Sequence, residues 1–163
     1  MNREQLLKLT EKYNSPLYVY DTQKIASQYE RITNAFSSVE QVQINYAVKA
    51  LSNINILKYF KKLGAGLDTV SIQEVQLGLA SGVSPEKIIY TPNGVSLEEI
   101  ERVAKKGVQI NIDNLSILEL FGQMADLKSK CKLRDIFVII DSLTCISKRN
   151  MTSFGSVGQY EAL

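Results

Sequence analysis

Hydrophobic positions along the chain alternate between a period typical of strands and a period typical of helices. Five short apolar segments, roughly 20–28 residues apart, alternate with amphipathic segments. The predicted strands are residues 42–48, 66–70, 87–91, 108–112 and 137–141. The helices predicted between them are residues 55–63, 72–81, 97–106 and 117–128. This alternation favours an α/β fold with a parallel sheet, and the spacing leaves open whether the sheet is a barrel or doubly wound.

The N-terminal segment has a different pattern. Residues 4–13 carry leucines among charges and predict a short amphipathic helix. The apolar run at residues 17–20 predicts a short strand, and Asp21 or Thr22 can cap the helix that follows. We therefore expect a short helix and a strand before the first repeating unit.

Several helix boundaries are visible in the sequence. Serine followed three residues later by glutamate is the capping-box pattern, and it predicts helix starts at Ser71, Ser96 and Ser116. Ser84 followed by Pro85 predicts a short helical turn. Glycines that end helices are predicted at Gly64, Gly82 and Gly107.

Residues 43–50 form the most informative segment, because they predict a buried strand that ends in a lysine. Alternation gives a bulky face with Ile44, Tyr46 and Val48 and a smaller face with Asn45, Ala47 and Lys49. A lysine at the carboxyl end of a parallel strand lies where α/β barrels carry active sites, and it is a candidate nucleophile for aldehydes. A solvated strand-end lysine gives the same pattern.

Composition narrows the function classes. The 163 residues suffice for one domain, and their 45% hydrophobic and 22% charged content is typical of a globular protein. A net charge of +2 gives no support for nucleic acid or an anionic membrane as partner. Without histidine, serine–histidine hydrolysis and a zinc site are not expected. Cys131 and Cys145 lack metal-ligand spacing and predict free thiols of a cytoplasmic protein.

Four segments together resemble one family. They are Tyr-Ala-Val-Lys-Ala-Leu-Ser-Asn at residues 46–53, Leu-Gly-Ala-Gly-Leu-Asp-Thr-Val-Ser at 63–71 with Glu74, the helix–strand junction at 80–90, and the following strand at 107–114. In this order they resemble the barrel domain of pyridoxal-phosphate decarboxylases of the alanine-racemase-like fold, and among these the diaminopimelate decarboxylases. The resemblance implies the first four to five βα units of a TIM-type (β/α)8 barrel.

The resemblance also implies roles for individual residues. Lys49 is expected to bind pyridoxal 5'-phosphate as a Schiff base, and Asp68, Glu74 and Asn93 are expected near the cofactor, with no metal. Each has a structural alternative: Asp68 as a strand-end carboxylate, Glu74 as part of a capping box, and Asn93 in a Pro-Asn-Gly turn. Asp113 is expected to be a loop or capping carboxylate.

The resemblance covers part of the chain. Residues 1–132 are predicted to be the N-terminal part of the barrel domain, and residues 133–163 a tail that departs from the family, with a fifth strand at 136–141. The histidine, the glycine-rich phosphate loop and the C-terminal β-domain of the family are missing. We therefore expect a truncated chain with little or no activity.

The implied activity is decarboxylation of meso-2,6-diaminopimelate to L-lysine by a cytoplasmic homodimer. Another amino-acid decarboxylase or racemase of the same fold, a non-catalytic pyridoxal-phosphate-binding barrel and a folded remnant without ligand stay open as alternatives.

Overall fold

A computed structural model describes residues 2–112, 114–123 and 136–138. The chain divides into two units, residues 1–42 and 43–163. The first unit contains helices α1 (Arg3–Tyr13) and α2 (Thr22–Ala35), and none of the side chains in these helices is buried. The helix predicted at residues 4–13 and the helix predicted after Asp21 or Thr22 are both present.

Side chains cap both helices of the first unit. Asn2 accepts the backbone N–H of Gln5, and the Gln5 side chain accepts the N–H of Asn2, which completes a capping box. Asp21 accepts the backbone N–H groups of Gln23 and Lys24. Of the two candidate caps of α2, the structure therefore uses Asp21.

The predicted strand at residues 17–20 is wrong. These residues lie between α1 and α2 and belong to no strand. A strand needs a neighbour with which it exchanges backbone hydrogen bonds, and none of the described strands pairs with this segment. An apolar run alone was therefore not sufficient to form a strand at residues 17–20. The Tyr18 side chain within this run is 87% exposed.

The second unit is a run of βα repeats. Its strands within the described residues are β1 (Asn45–Ala47), β2 (Gly66–Thr69), β3 (Ile88–Tyr90), β4 (Gln109–Ile112) and β5 (Ile136–Val138). Its helices are α3 (Ile54–Leu63), α4 (Ile72–Ala80), α5 (Leu97–Ala104) and α6 (Leu115–Gln123), with 3-10 turns at Val48–Ala50 and Pro85–Lys87. All neighbouring strands are parallel and follow the order β1-β2-β3-β4-β5. The predicted α/β fold and parallel sheet are confirmed.

One face of the sheet packs against the helices and forms the core. Its strand residues alternate with those of the other face, and the fully buried ones are Leu67, Thr69, Ile88, Tyr90, Ile110 and Ile112. Helices α3, α4 and α5 contribute Leu57, Val75 and Val103 to the same cluster. We call this the helix-facing face.

Helix α4 comes very close to the sheet at Gly78. A Cβ atom at this position would lie 2.8 Å from Cδ1 of Leu67 and 3.2 Å from Cδ1 of Ile88. Such distances are below ordinary van der Waals contact, so a larger residue would require the Leu67 and Ile88 side chains to shift.

A partly buried polar cluster lies on the helix-facing face. The Tyr90 hydroxyl donates to Oε1 of Glu99 at 2.8 Å, and the backbone N–H of Ile72 donates to the same oxygen at 3.2 Å. Burial raises the pKa of the Tyr90 hydroxyl above its usual value, and the Glu99 carboxylate raises it further. The cluster joins β3, α5 and the start of α4.

The helix ends test the predicted caps. Ser71 and Ser96 accept the N–H groups of Glu74 and Glu99, as expected for helix starts. The third predicted cap is wrong: α6 starts at Leu115, and Asn114 accepts the N–H groups of Ser116 and Ile117. Asparagine is an equally good N-cap, so the helix begins earlier and Ser116 lies inside its first turn.

The predicted helix-ending glycines are confirmed. Gly64, Gly82 and Gly107 have φ angles of 92°, 84° and 72°, a conformation that residues with a Cβ rarely adopt. The predicted turn at Pro85 is also present. The predictions for Asp113, Cys131, Cys145, the end of the helix at 117–128 and most of the tail at 133–163 lie outside the described residues.

Candidate active site

The face of the sheet opposite the helices carries polar side chains. The alternation along each strand places Asn45 of β1, Asp68 of β2, Thr91 just after β3 and Asn111 of β4 on this side, and all four are half-buried. We call it the inner face. Parallel strands end at one common edge, so Asp68, Thr91 and Asn111 lie towards the carboxyl edge, where barrel enzymes carry their sites.

Lys49 lies at the same edge but not in the strand. Strand β1 ends at Ala47, and Lys49 is the central residue of a 3-10 turn that is closed by the Leu51 N–H donating to the Val48 carbonyl at 3.1 Å. The predicted strand ran to Val48 and ended in the lysine. In the structure the strand ends at Ala47, and Val48 and Lys49 belong to the 3-10 turn that follows it. Ala47 pairs in register with Asp68, the turn lies against β2, and Lys49 is exposed.

Asp68 is held by a neighbour that the sequence prediction omitted. The Thr91 hydroxyl donates to Oδ1 of Asp68 at 3.0 Å, and Nδ2 of Asn111 donates to the Thr91 hydroxyl oxygen at 3.0 Å. These bonds connect β2, the end of β3 and β4 across the inner face. Asp68 is therefore a carboxylate with a defined hydrogen-bond partner on one oxygen.

Glu74 lies in the first turn of α4, directly after the carboxyl end of β2. Its Oε2 atom accepts the backbone N–H of Val70 at 2.8 Å, and its own N–H donates to the Ser71 hydroxyl oxygen at 3.3 Å. Both hydrogen bonds join Glu74 to the short loop between β2 and α4. Only the serine half of the predicted capping box is therefore present, because the Glu74 carboxylate accepts the N–H of Val70 and not that of Ser71. A contact of Glu74 with a cofactor stays a prediction.

Asn93 lies in the exposed loop after β3. The loop turns at Gly94, which has a φ angle of 65°. Within the described residues no hydrogen bond joins Asn93 to Asp68, Thr91 or Asn111. The structure thus brings Asp68 together with Thr91 and Asn111, and leaves Asn93 as a separate residue in the loop at the carboxyl edge of the sheet.

Two buried acceptors on the inner face have no hydrogen-bond partner within the described residues. They are the Oδ1 atoms of Asn45 and Asn111. Asn45 Oδ1 lies against Gly66, where any Cβ would contact it and would also approach the Lys87 carbonyl oxygen to 2.6 Å. Buried acceptors of this kind normally receive a donor, so the inner face suits polar groups from outside the described residues.

Thr91 and Asn111 carried a signal that the sequence reasoning did not use. Both fall inside predicted strands, at positions in phase with the inner face. A polar residue at such a position is uncommon in a fully buried parallel strand, where apolar runs prevail. Their contact with Asp68 depends on strand register, which a pattern within one strand does not reveal.

The sequence profile of a protein family described as pyridoxal-dependent decarboxylase, pyridoxal binding domain, matches residues 22–147. The chain belongs to this family. The predicted family, the decarboxylase class and the pyridoxal cofactor are thereby confirmed at the level of the family. The matched range continues past residue 133, where the sequence was predicted to depart from the family. The division into residues 1–132 and 133–163 stays a prediction.

Individual relatives agree with this assignment. The chain is 32% identical to a diaminopimelate decarboxylase of Methanothermobacter thermautotrophicus over 152 residues, which are 91% of this chain and 36% of the relative. It is 35% identical to a diaminopimelate decarboxylase of Helicobacter pylori over 130 residues, 77% of this chain and 32% of the relative. The chain thus spans about a third of the length of these relatives.

Solved structures resemble the fold. The diaminopimelate decarboxylase from M. jannaschii, in a complex with L-lysine, matches with a TM-score of 0.68 and 32% identity over 74% of this chain and 29% of that one. A lysine/ornithine decarboxylase from Vibrio vulnificus, in a complex with cadaverine, matches with a TM-score of 0.70 and 25% identity over 83% and 35%. The predicted partial barrel is confirmed as the fold class.

The described residues fit a pyridoxal group. An exposed lysine and a hydrogen-bonded carboxylate lie at the carboxyl edges of two paired strands, and buried acceptors without partners line the same face. No group of three metal-ligating side chains occurs in the described part of the chain. The helices described for residues 2–112 and 114–123 are each too short or too polar to cross a membrane.

Proposed function

We propose that the protein to which this chain contributes decarboxylates meso-2,6-diaminopimelate to L-lysine with pyridoxal 5'-phosphate. The observation that carries the proposal is the position of Lys49, directly after β1 at the carboxyl edge and next to the strand that holds Asp68. Both relatives described above are named as diaminopimelate decarboxylases, which supports this substrate.

Different residues of this chain would bind different groups of the cofactor and the substrate. Lys49 is exposed at the active edge, so its Nζ atom can hold the cofactor's aldehyde carbon covalently. The Asp68 carboxylate, which Thr91 holds in place, can bind a positively charged nitrogen of the cofactor or substrate. When bound, pyridoxal phosphate supplies the electron sink that decarboxylation requires.

Glu74 and Asn93 are proposed to contribute from the loops. Glu74 holds the β2–α4 connection through Val70 and can place its second carboxylate oxygen towards the cofactor. Asn93 is exposed after β3 and can contact a ligand at the entrance of the site. Neither role requires a metal ion.

Another amino-acid decarboxylase is the second candidate. The structural similarity to a lysine/ornithine decarboxylase has a TM-score of 0.70, so the fold accommodates a substrate other than diaminopimelate. A substrate comparison on the whole protein, with diaminopimelate, lysine and ornithine supplied separately, distinguishes the two candidates by which amino acid releases CO₂.

We further propose that the 163-residue chain alone has little or no decarboxylase activity, and that the whole protein is a cytoplasmic homodimer. The support for the first statement is that the chain spans only about a third of its relatives, and the second rests on the family resemblance alone. Formation of L-lysine from diaminopimelate by the purified chain would contradict the first statement, and a monomeric mass of the whole protein in solution would contradict the second.

The cofactor proposal is tested by adding pyridoxal phosphate to the chain and recording the absorbance band of a lysine adduct. We expect a band in the wild type that is lost in Lys49→Ala, and borohydride reduction followed by peptide mapping should place the label on Lys49. Lys58→Ala, which replaces an exposed lysine on α3, is the matched control and should keep the band. Label spread over many lysines would contradict the proposal.

A further inference from the structure

Three side chains from three different strand segments form a continuous hydrogen-bonded chain on the inner face. Asn111 of β4 contacts Thr91 at 3.0 Å, and Thr91, which follows β3, contacts Asp68 of β2 at 3.0 Å. All three side chains are half-buried. Of the three, only Asp68 was expected at the cofactor from sequence.

The chemistry of the groups fixes the direction in which hydrogens are donated. A carboxylate oxygen can only accept, so the Thr91 hydroxyl hydrogen goes to Asp68. Thr91 has no other hydrogen to give and can only accept from Asn111, which must therefore present its NH₂ group. This assignment leaves the Oδ1 atom of Asn111 as a buried acceptor without a partner within the described residues.

A carboxylate with one oxygen bound cannot rotate freely, and its second oxygen is then directed away from Thr91. We propose that Thr91 and Asn111 are positioning residues, which hold the Asp68 carboxylate in one orientation so that its second oxygen binds the pyridoxal ligand. The inference deepens the proposed function and rests on it for the identity of the ligand. It assigns no direct contact with the reacting atoms to Thr91.

The competing explanation is that these bonds only connect the strands. Thr69 offers a direct comparison, because its hydroxyl donates to the Ile89 carbonyl at 2.8 Å on the helix-facing face. A backbone carbonyl is already oriented by the sheet, so this bond orients no functional group. Thr69→Val and Thr91→Val thus remove the same hydroxyl from the same sheet on opposite faces.

The main experiment measures the dissociation constant of pyridoxal phosphate and the circular dichroism of the bound chromophore. We expect Thr91→Val to weaken binding about tenfold and to reduce the dichroic signal, because a charge-assisted hydrogen bond is lost. Thr91→Ser should restore both. Thr69→Val should leave both unchanged, whatever it does to thermal stability.

A double-mutant cycle separates positioning from general weakening. If Thr91 acts through Asp68, Thr91→Val should change the dissociation constant by less than about twofold in an Asp68→Ala background. Asn111→Asp keeps the shape but removes the donor, so the single Thr91 hydrogen is shared between two carboxylates, and we expect the same direction of change as in Thr91→Val. Independent, additive effects of Thr91→Val and Asp68→Ala would overturn the inference.

A ligand-free measurement keeps the inference distinct from the proposed function. Nuclear magnetic resonance couplings should show one side-chain rotamer for Asp68 in the wild type and in Thr69→Val, and averaged rotamers in Thr91→Val. If the wild type shows the single rotamer but forms no adduct at Lys49, the proposed function fails and the positioning of Asp68 stands. If Lys49 forms the adduct but the rotamer is unaffected by Thr91→Val, the inference fails and the proposed function stands.

Discussion

The two faces of the parallel sheet are built from neighbouring residues and differ in burial and in polarity. Leu67 and Ile110 are buried among the helices, whereas the residues that follow them, Asp68 and Asn111, lie on the polar inner face. A side chain changes faces with every step along a strand. One strand therefore contributes both to the stability of the fold and to the candidate site.

The polar groups on the two faces differ in how completely they are paired. On the helix-facing face, Glu99 accepts both the Tyr90 hydroxyl and the Ile72 N–H. On the inner face, the Oδ1 atoms of Asn45 and Asn111 have no partner within the described residues. Among the described residues, unpaired buried side-chain acceptors therefore occur on the inner face, whereas the Tyr90–Glu99 cluster of the helix-facing face is paired.

The largest expected effect comes from removing a core side chain. Leu67→Ala should lower the free energy of unfolding by about 2–5 kcal/mol, because it leaves a cavity between β2 and α4. Ile89→Ala is the matched change on the half-buried inner side of β3 and should cost clearly less. Urea unfolding followed by far-ultraviolet circular dichroism measures the free energy of unfolding of both variants. Equal losses would contradict the expectation that the helix-facing face contributes more to stability than the inner face.

A smaller effect is expected from the partly buried cluster of Tyr90 and Glu99. Tyr90→Phe should lower the free energy of unfolding by about 1–2 kcal/mol at neutral pH, because it removes a hydrogen bond to a charged group.

The pH dependence of this effect gives a sharper test. The pKa of Tyr90 is raised above its ordinary value of 10.0 in the folded state, so above about pH 10 the unfolded chain releases this proton while the folded chain keeps it. The wild type should then lose stability relative to Tyr90→Phe as the pH rises past 10, and unfolding series at increasing pH measure this. A difference between the two proteins that stays constant with pH would contradict the assignment.

The smallest effect on stability is expected at the residue that matters most for the proposed function. Lys49 is exposed in its 3-10 turn, so Lys49→Ala should change the free energy of unfolding by no more than about 0.5 kcal/mol while abolishing the pyridoxal adduct. Thermal unfolding without ligand gives the first quantity. A large loss of stability would mean that Lys49 supports the fold and that loss of the adduct has a structural cause.

Much of the fold was predictable because its signals are local. The periodicity predicted the strands and helices of the second unit, and the predicted glycines end three of its helices. The prediction failed where two local signals compete, as between Asn114 and Ser116, and where a strand needs a partner, as at residues 17–20. Lys49 and Asp68 were predicted from a family resemblance, which the family match supports without testing the role of either residue.

By itself, the sequence determined the order of the elements, the caps at Ser71 and Ser96, and the presence of a lysine after the first strand. Each of these depends on contacts within a few residues. Only the tertiary structure showed that Thr91 and Asn111 meet Asp68, and that Tyr90 meets Glu99. Those contacts depend on strand register and helix packing, which bring residues 9 to 23 positions apart into hydrogen-bonding distance.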